Sequence, residues 1–362
     1  MTNYATELEA DYDLIKAESF AERMSEVMNN GALSVMLSLG HRTGLLDVMS
    51  RLPAASSEKI AEATVLSERY VREWLAAMVT GGVVIYEPST RTYLLPPEHA
   101  ASITREGAFG NLAVYGQFIA MLGVVQDQIL EKFENGDGTH YEDYPCFHQI
   151  MAEDSSQTVV AGLFEHVLPL VSGLEKRLEQ GIDVLDAGCG RGLALTALAT
   201  RFPQSRFTGY DLCPDAIAFA QNNVRKLGLN NITFEMRDLS NFSDIAQFDL
   251  ITSFDAVHDQ RDPQRLIEAL YGALRQNGVY LMQDIGGSAK LENNLDFPMA
   301  TMLYAISCCH CTPISLGQGG QGLGTMWGWE TAEKMLQNSG FSSIDHHVLP
   351  HDPTNVWFVA HC

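Results

Sequence analysis

One stretch, Ile182 to Asp211, constrains the fold of this chain more than any other: IDVLDAGCGRGLALTALATRFPQSRFTGYD. An apolar run through Val184 and Leu185 ends on Asp186. The glycines Gly188, Gly190 and Gly192 follow, then the helical pattern of Leu193, Leu195, Leu198 and Ala199. After Pro203 a second strand, Arg206 to Tyr210, ends on Asp211. Strand, tight turn, helix and strand closing on a carboxylate make half of a nucleotide-binding unit. Glycines at such a turn let the backbone approach a ligand where a Cβ would collide. Asp211 lies 23 positions after Gly188 (211 − 188), about where a second-strand carboxylate accepts hydrogen bonds from both hydroxyls of a ribose.

The glycine spacing bears on which nucleotide. Dinucleotide sites space glycines G-x-G-x-x-G and set a pyrophosphate on the helix N-terminus. Here the spacing is G-x-G-x-G, with Asp186 two residues ahead of the first glycine. A carboxylate beside the turn repels phosphate and suits an ammonium group. D-A-G-C-G-R-G resembles motif I of the class I S-adenosylmethionine-dependent methyltransferases, whose donor carries an ammonium, a sulfonium and an adenosine but no phosphate. The resemblance implies that Asp186 and the turn Gly188, Cys189 and Gly190 hold the methionine portion. It implies Asp211 and Leu212 at the ribose, Asp238 and Leu239 at the adenine, and Phe254 against the ring or the sulfonium.

Beyond this unit, helix Pro214 to Leu227, strand ITFEM, strand FDLITSF, helix Gln264 to Leu274 and strand GVYLMQDI alternate. Alternation predicts a parallel sheet covered on both faces, with ligands at the carboxyl ends of the strands. Helix Glu330 to Asn338 closes on Gly340. SSIDHHVL and TNVWFVAHC are then separated by so short a turn that they must be antiparallel. The expected fold class is α/β: a Rossmann-like methyltransferase sheet, parallel with an antiparallel C-terminal hairpin, preceded by a mainly helical winged-helix domain.

That first domain reads as a helix over residues 1 to 30, an apolar helix from Gly31 to Leu52, a capped helix near Lys59 to Ala63, and ERYVREWLAAMVTGG. VVIYEPSTRTYLL follows as a hairpin. Three helices and a hairpin form a winged helix, for which DNA binding is the first thought. Glu68 and Glu73 interleave with Arg69 and Arg72, an acidic mix for a recognition helix. The module is similar to the N-terminal dimerisation domain of small-molecule O-methyltransferases, which implies a homodimer. Expected boundaries are 1–104 for this domain, 105–172 for a helical connector that lines the acceptor pocket, and 173–362 for the donor-binding domain. Pro96-Pro97 marks the exit from the winged helix, and a helix is expected from about Glu106 to Phe133.

Composition narrows the partners. A formal net charge of −22 over 362 residues disfavours nucleic acid and anionic membrane surfaces. No apolar run reaches the length of a membrane span. Glu7, Glu9, Asp11 and Asp13 make the N-terminus unlike a secretory signal, and seven cysteines without framework spacing suit a reducing cytoplasm.

Methyl transfer from a sulfonium is an in-line displacement with a pre-activated donor, so alignment can supply roughly 7–11 kcal/mol of the barrier. A hydroxyl acceptor must also lose its proton. His258, followed by Asp259, sits in the loop after strand FDLITSF. The run A-V-H-D-Q-R-D-P is similar to the H-D-W-x-D segment of plant-type O-methyltransferases, with Gln260 in place of Trp, and this implies a catalytic base. S-methylation of a small thiol or thioether by positioning alone is the runner-up, and a thioether, which already carries a lone pair, would need no base. A ligand-sensing regulator is the alternative from another class. Candidate acceptor-site residues are Tyr115, Tyr141, Tyr144, His148, His310 and Trp327. The connection from Gly286 to Gly328 reads as a glycine-rich cover, with Thr325 and Trp327 placed to close on the acceptor. In the cluster Cys308, Cys309, His310 and Cys311 only Cys308 and Cys311 have the C-x-x-C spacing of structural zinc and no second pair exists, so no metal is expected.

Overall fold

The computed structural model describes residues 12–362; the part of the first expected helix that includes Leu8 lies outside them. Contacts divide the chain into two compact units, 1–120 and 121–362, and the division falls inside the helix Tyr115–Asn135.

The first unit opens with one uninterrupted helix, Leu14–Thr43, capped by the Asp13 carboxylate accepting the Lys16 N–H. The break expected at Gly31 is absent. A glycine inside a helix costs only about 1 kcal/mol, whereas termination needs a left-handed residue, and Gly44 at φ +75° supplies it. Helices Leu45–Met49, Ser57–Thr64 and Glu68–Thr80 follow, then the hairpin of β1 (Ile85–Glu87) and β2 (Thr92–Leu94). Leu46, Ile60, Val71, Trp74, Leu75 and Met78 share one core, completing a winged helix. The chain does not leave it at Pro96-Pro97: Pro97 begins the helix Pro97–Ile103, where its fixed φ suits a first turn. The helix expected from about Glu106 starts instead at Tyr115, after a tight turn over Leu112–Val114.

The second unit is built on seven strands: β3 (Asp183–Ala187), β4 (Arg206–Asp211), β5 (Ile232–Met236), β6 (Phe248–Phe254), β7 (Leu274–Ile285), β8 (Ser343–Leu349) and β9 (Asp352–His361). Their order across the sheet is β5-β4-β3-β6-β7-β9-β8, parallel except for β9, which runs antiparallel to both neighbours. Helices Leu193–Arg201, Pro214–Leu227 and Pro263–Ala273 make the crossovers. Each carries its small and aliphatic residues inward, so both sheet faces are sealed by large apolar clusters. The strands read as apolar runs for the same reason.

From β3 the chain steps outward to β4 and β5, then returns to the other side of β3 as β6 and continues to β7. Neighbours β3 and β6 therefore send their helices opposite ways, and a crevice opens at their carboxyl ends. Between the connector helix and β3 the chain forms the helix Phe147–Ser155 and then two wider turns, Ser156–Val160 and Leu163–Val167. The long connection after β7 carries the helices Ala300–Ile306 and Thr312–Gly317.

Phe207 is fully enclosed in β4. Phe207→Ala should cost about 3–5 kcal/mol in denaturant unfolding. Met236→Ala, at a position 64% exposed, should stay within about 0.5 kcal/mol of wild type.

Candidate active site

Local chemistry at the strand tips explains the crevice. The turn after β3 brings the Gly188 and Cys189 N–H groups to the Tyr210 carbonyl at 2.9 and 3.0 Å. Gly188 sits at φ +81°, and a Cβ there would lie 2.5 Å from the Ala256 side chain. Only glycine permits the turn after β3 to pack against the loop after β6. Asp211 fastens the turn from the other side: its Oδ2 accepts the Gly190 N–H at 2.8 Å and its Oδ1 the Cys213 N–H at 2.9 Å. Each oxygen keeps a lone pair for a further donor.

The crevice opens into about 1020 Å³ of space, open solvent at its mouth included. All nine residues expected at the donor line it: Asp186, Gly188, Cys189, Gly190, Asp211, Leu212, Asp238, Leu239 and Phe254. So do Asp255 and Asp259. Against these five aspartates the lining offers one arginine, Arg191, whose guanidinium lies 4.5 Å from the Phe219 ring centre. Such a wall attracts cations and repels phosphate.

Asp186 accepts a 2.8 Å hydrogen bond from Thr252 Oγ1, its neighbour in register on β6. Burial pushes its carboxyl up to about 7, with the Thr252 bond pulling the other way and Asp211 adding repulsion. Asp255 is likewise lifted to about 7 by burial, with His258 opposing. Asp238 caps the turn Leu239–Asn241 through the Ser240 N–H at 2.9 Å, with the Asn241 side-chain amide 3.3 Å from its other oxygen.

His258 is 2% exposed and lies deeper than the cleft wall. Its Nδ1 is 2.8 Å from Asp284 Oδ1, near the end of β7, and its Nε2 is 3.4 Å from Asp259 Oδ1. Burial opposes charge on the ring, but Asp284 and Asp259 outweigh it and raise the imidazole well above its ordinary range. Asp259 is the member of the pair that reaches the cleft, where Tyr141 donates to its Oδ2 at 3.3 Å.

The candidate acceptor residues separate. Tyr141 and His148 line the cleft; Tyr144 lines an adjoining cavity with them, and its hydroxyl donates to the Cys309 carbonyl at 2.7 Å. His310 is buried behind this wall, stacked on Phe147 with ring centres 4.2 Å apart, and burial holds it down to about 4. Trp327 does not face the cleft. Its Nε1 donates to Asp284 Oδ1 at 3.0 Å, because burying an indole requires a partner for its N–H. Thr325 is also turned inward, donating to Cys311 Sγ at 3.0 Å. Tyr115 belongs to the first unit, packed on Phe118, and is not part of the cleft lining. Sequence reasoning passed over Asp255, Asp284 and Gln318. Asp284 left a signal: an acid within the apolar run YLMQDI at a strand's carboxyl end.

Residues 31–105 match the Rv2258c-like winged HTH domain, and residues 178–340 match a methyltransferase domain. The malonyl-[acyl-carrier protein] O-methyltransferase of Bacillus cereus is 25% identical over 179 residues, 49% of this chain and 60% of that protein. The 2-heptyl-1-hydroxyquinolin-4(1H)-one methyltransferase of Mycobacteroides abscessus is 42% identical over 71 residues, 19% of this chain and 30% of that one. The chain thus spans less than two thirds of each of these curated relatives. Among solved structures, human N-acetylserotonin methyltransferase in complex with SAM superposes with a TM-score of 0.67 at 16% identity, over 94% of this chain and 97% of that one. A candidate O-methyltransferase from Nostoc punctiforme gives 0.70 at 18%, over 94% and 98%. The fold is that of these enzymes.

Asp186 supplies a pH test. Its folded-state value, about 7 against an ordinary 3.8, means the folded chain holds the proton more tightly than the unfolded one. Stability is therefore lost as pH rises from about 4 to about 7. Asp186→Asn should be about 1–3 kcal/mol more stable than wild type above pH ~7 and indistinguishable from it below pH ~4, read by urea unfolding.

Proposed function

For this chain, which joins a Rv2258c-like winged-helix module to a methyltransferase domain, we propose methyl transfer from S-adenosylmethionine to a hydroxyl of a small molecule, with His258 as general base. One observation carries the donor assignment: four aspartates at the tips of β3, β4, β5 and β6, with Asp259 in the loop beyond, face a cleft whose glycine turn is tied to Asp211 rather than left open to a phosphate.

The residues present fit that donor. Asp186, buried with a single hydrogen-bond partner, faces the ammonium, and the close approach of Gly188 to Ala256 keeps the turn slim beside the methionine portion. Asp211 has lone pairs left for the ribose hydroxyls. Asp238 and Leu239 flank the adenine, and Phe254, wedged against Trp357 at 5.7 Å, bounds the sulfonium end. When bound, S-adenosylmethionine supplies an electrophilic methyl group. The chain aligns, excludes water and accepts a proton. Asp284, itself fixed by Trp327, holds the His258 ring by Nδ1, which points Nε2 toward Asp259 and the cleft. With both carboxylates at the ring the imidazole is held charged. To act as a base the ring first passes its Nε2 proton to Asp259, 3.4 Å away and itself at the cleft, and from there to solvent, which leaves the Nε2 lone pair for the acceptor's proton.

The hydroxyquinolone named in one relative supports an aromatic hydroxyl as acceptor, and Tyr141, Phe147 and Met151 give the cleft an aromatic and thioether wall. We place the chain in the cytoplasm: its seven cysteines are free, and among the described residues no helix is long and apolar enough to cross a membrane. A winged-helix regulator is less well supported, because Arg69 pairs with Glu73 and Arg72 with Glu68 on the third helix.

The first unit supports a homodimer. Phe20, Met24, Val27, Met28, Val35 and Leu39 recur at helical spacing along Leu14–Thr43, most of them exposed. Phe20→Asp with Met28→Asp should convert a dimer to a monomer in light scattering; wild-type monomers at the same concentration would sink this reading.

For the chemistry, a panel of aromatic hydroxyl compounds is followed by S-adenosylhomocysteine release. His258→Ala should lower kcat about 10²–10⁴-fold and leave S-adenosylhomocysteine affinity unchanged by calorimetry. A loss under tenfold would remove the base and favour a thioether acceptor.

A further inference from the structure

Behind the cleft wall, side chains from two distant segments converge. His258, Asp259 and Cys311 are all buried, and one ligand atom from each lies within 4.8 Å of the other two. We propose that these three residues bind a borderline-soft divalent cation, with Zn²⁺ the best fit.

Four observations carry this. Nδ1 of His258 is engaged by Asp284 Oδ1 at 2.8 Å, and that oxygen also accepts the Trp327 N–H at 3.0 Å. A carboxylate on Nδ1 fixes the ring and leaves Nε2 as the atom that takes a metal once its proton is released, the arrangement by which outer-sphere carboxylates orient metal-binding histidines. Asp259 Oδ1 is buried and makes no hydrogen bond, facing His258 Nε2 at 3.4 Å in an ion pair that a cation between the two would replace. Thr325 Oγ1 donates to Cys311 Sγ at 3.0 Å, the kind of hydrogen bond that supports a metal thiolate. Finally, one nitrogen, one carboxylate oxygen and one sulfur exclude Mg²⁺ and Ca²⁺, which take oxygens, and match Zn²⁺.

Bond lengths of about 2.0–2.3 Å require the three atoms to draw together by roughly an ångström. Binding releases the Cys311 thiol proton and the proton on His258 Nε2, so thiolate, imidazole and carboxylate become the ligands. A tetrahedral ion keeps a fourth position. His310, with Nδ1 3.5 Å from Cys311 Sγ and 4.0 Å from Asp259 Oδ2, stands beside it, and Asp259 opens it to the cleft. Of the three cysteines in the run Cys308 to Cys311, Cys311 is the buried one: Cys308 is exposed and Cys309 half-buried. Spacing along the chain could not reveal the site, because its other two ligands lie some fifty residues upstream.

The site has a consequence that rests on the proposed function. An ion on Nε2 takes the lone pair that the base uses, so Zn²⁺ inhibits methyl transfer.

The test is Co²⁺ titration of the full-length protein after chelator treatment, with Zn²⁺ calorimetry alongside. Wild type should show a near-ultraviolet sulfur-to-cobalt charge-transfer band with visible bands of tetrahedral cobalt, and bind one Zn²⁺ per chain. Cys311→Ser should lose the sulfur band and weaken Zn²⁺ at least tenfold, with circular dichroism and S-adenosylhomocysteine binding confirming its fold. Asp284→Asn keeps all three ligands and should weaken Zn²⁺ about 10–100-fold. Cys308→Ser should leave the band unchanged. No band in wild type, a band that survives in Cys311→Ser, or one lost in Cys308→Ser would overturn the site. Zn²⁺ should lower the wild-type methyl-transfer rate, and Cys311→Ser, relative to its own zinc-free rate, should need at least tenfold more. Binding with no inhibition upholds the site and removes His258 as the base instead.

Discussion

Asp186 and Thr252 meet across the seam between β3 and β6, where adjacent strands lead away in opposite directions. Everything functional in the second unit depends on that seam. A helical crossover joins β3 to β4, β4 to β5 and β6 to β7; the neighbours β3 and β6 have none between them, and a crevice opens at their carboxyl ends. The glycine turn after β3 and the loop after β6 form its two lips. They approach closely because Gly188 has no Cβ to strike Ala256.

A gap rimmed with carboxylates is costly to leave unpaired. Burial lifts Asp186 and Asp255 to about 7, because an uncompensated negative charge is disfavoured in the folded chain at both positions. A ligand bearing an ammonium and a sulfonium compensates that charge, so affinity and stability are opposed at the same residues. The opposition is characteristic of binding sites, where local rules are broken and offset elsewhere, here by the apolar seals on both sheet faces.

One layer deeper, Trp327, Asp284, His258, Asp259 and Tyr141 form a continuous run of polar contacts from the β7 tip to the cleft. Proton acceptance and cation binding both draw on the same lone pair, Nε2 of His258. The histidine's surroundings are shared by residues from β7, the loop after β6 and the connection that follows β7. No single segment of the chain could specify them.

The sequence by itself determined the sheet and its ligand edge. Strand pattern, glycine turn, Asp186, Asp211 and the antiparallel hairpin are local features with a period or a spacing, and the chain's own geometry turns them into structure. The resemblance to the methyltransferase motifs marked Cys189, Leu212, Asp238, Leu239 and Phe254, all of which line the cleft. The sequence pattern misplaced the helix break at Gly31, since glycine alone cannot distinguish an interior position from a cap. Only the tertiary structure decided that Trp327 secures Asp284 rather than facing an acceptor, that His310 sits behind Phe147, and that Cys311 joins His258. Those partners lie far apart along the chain, and which way a side chain turns from a helix or loop is set by what the neighbouring element leaves unfilled.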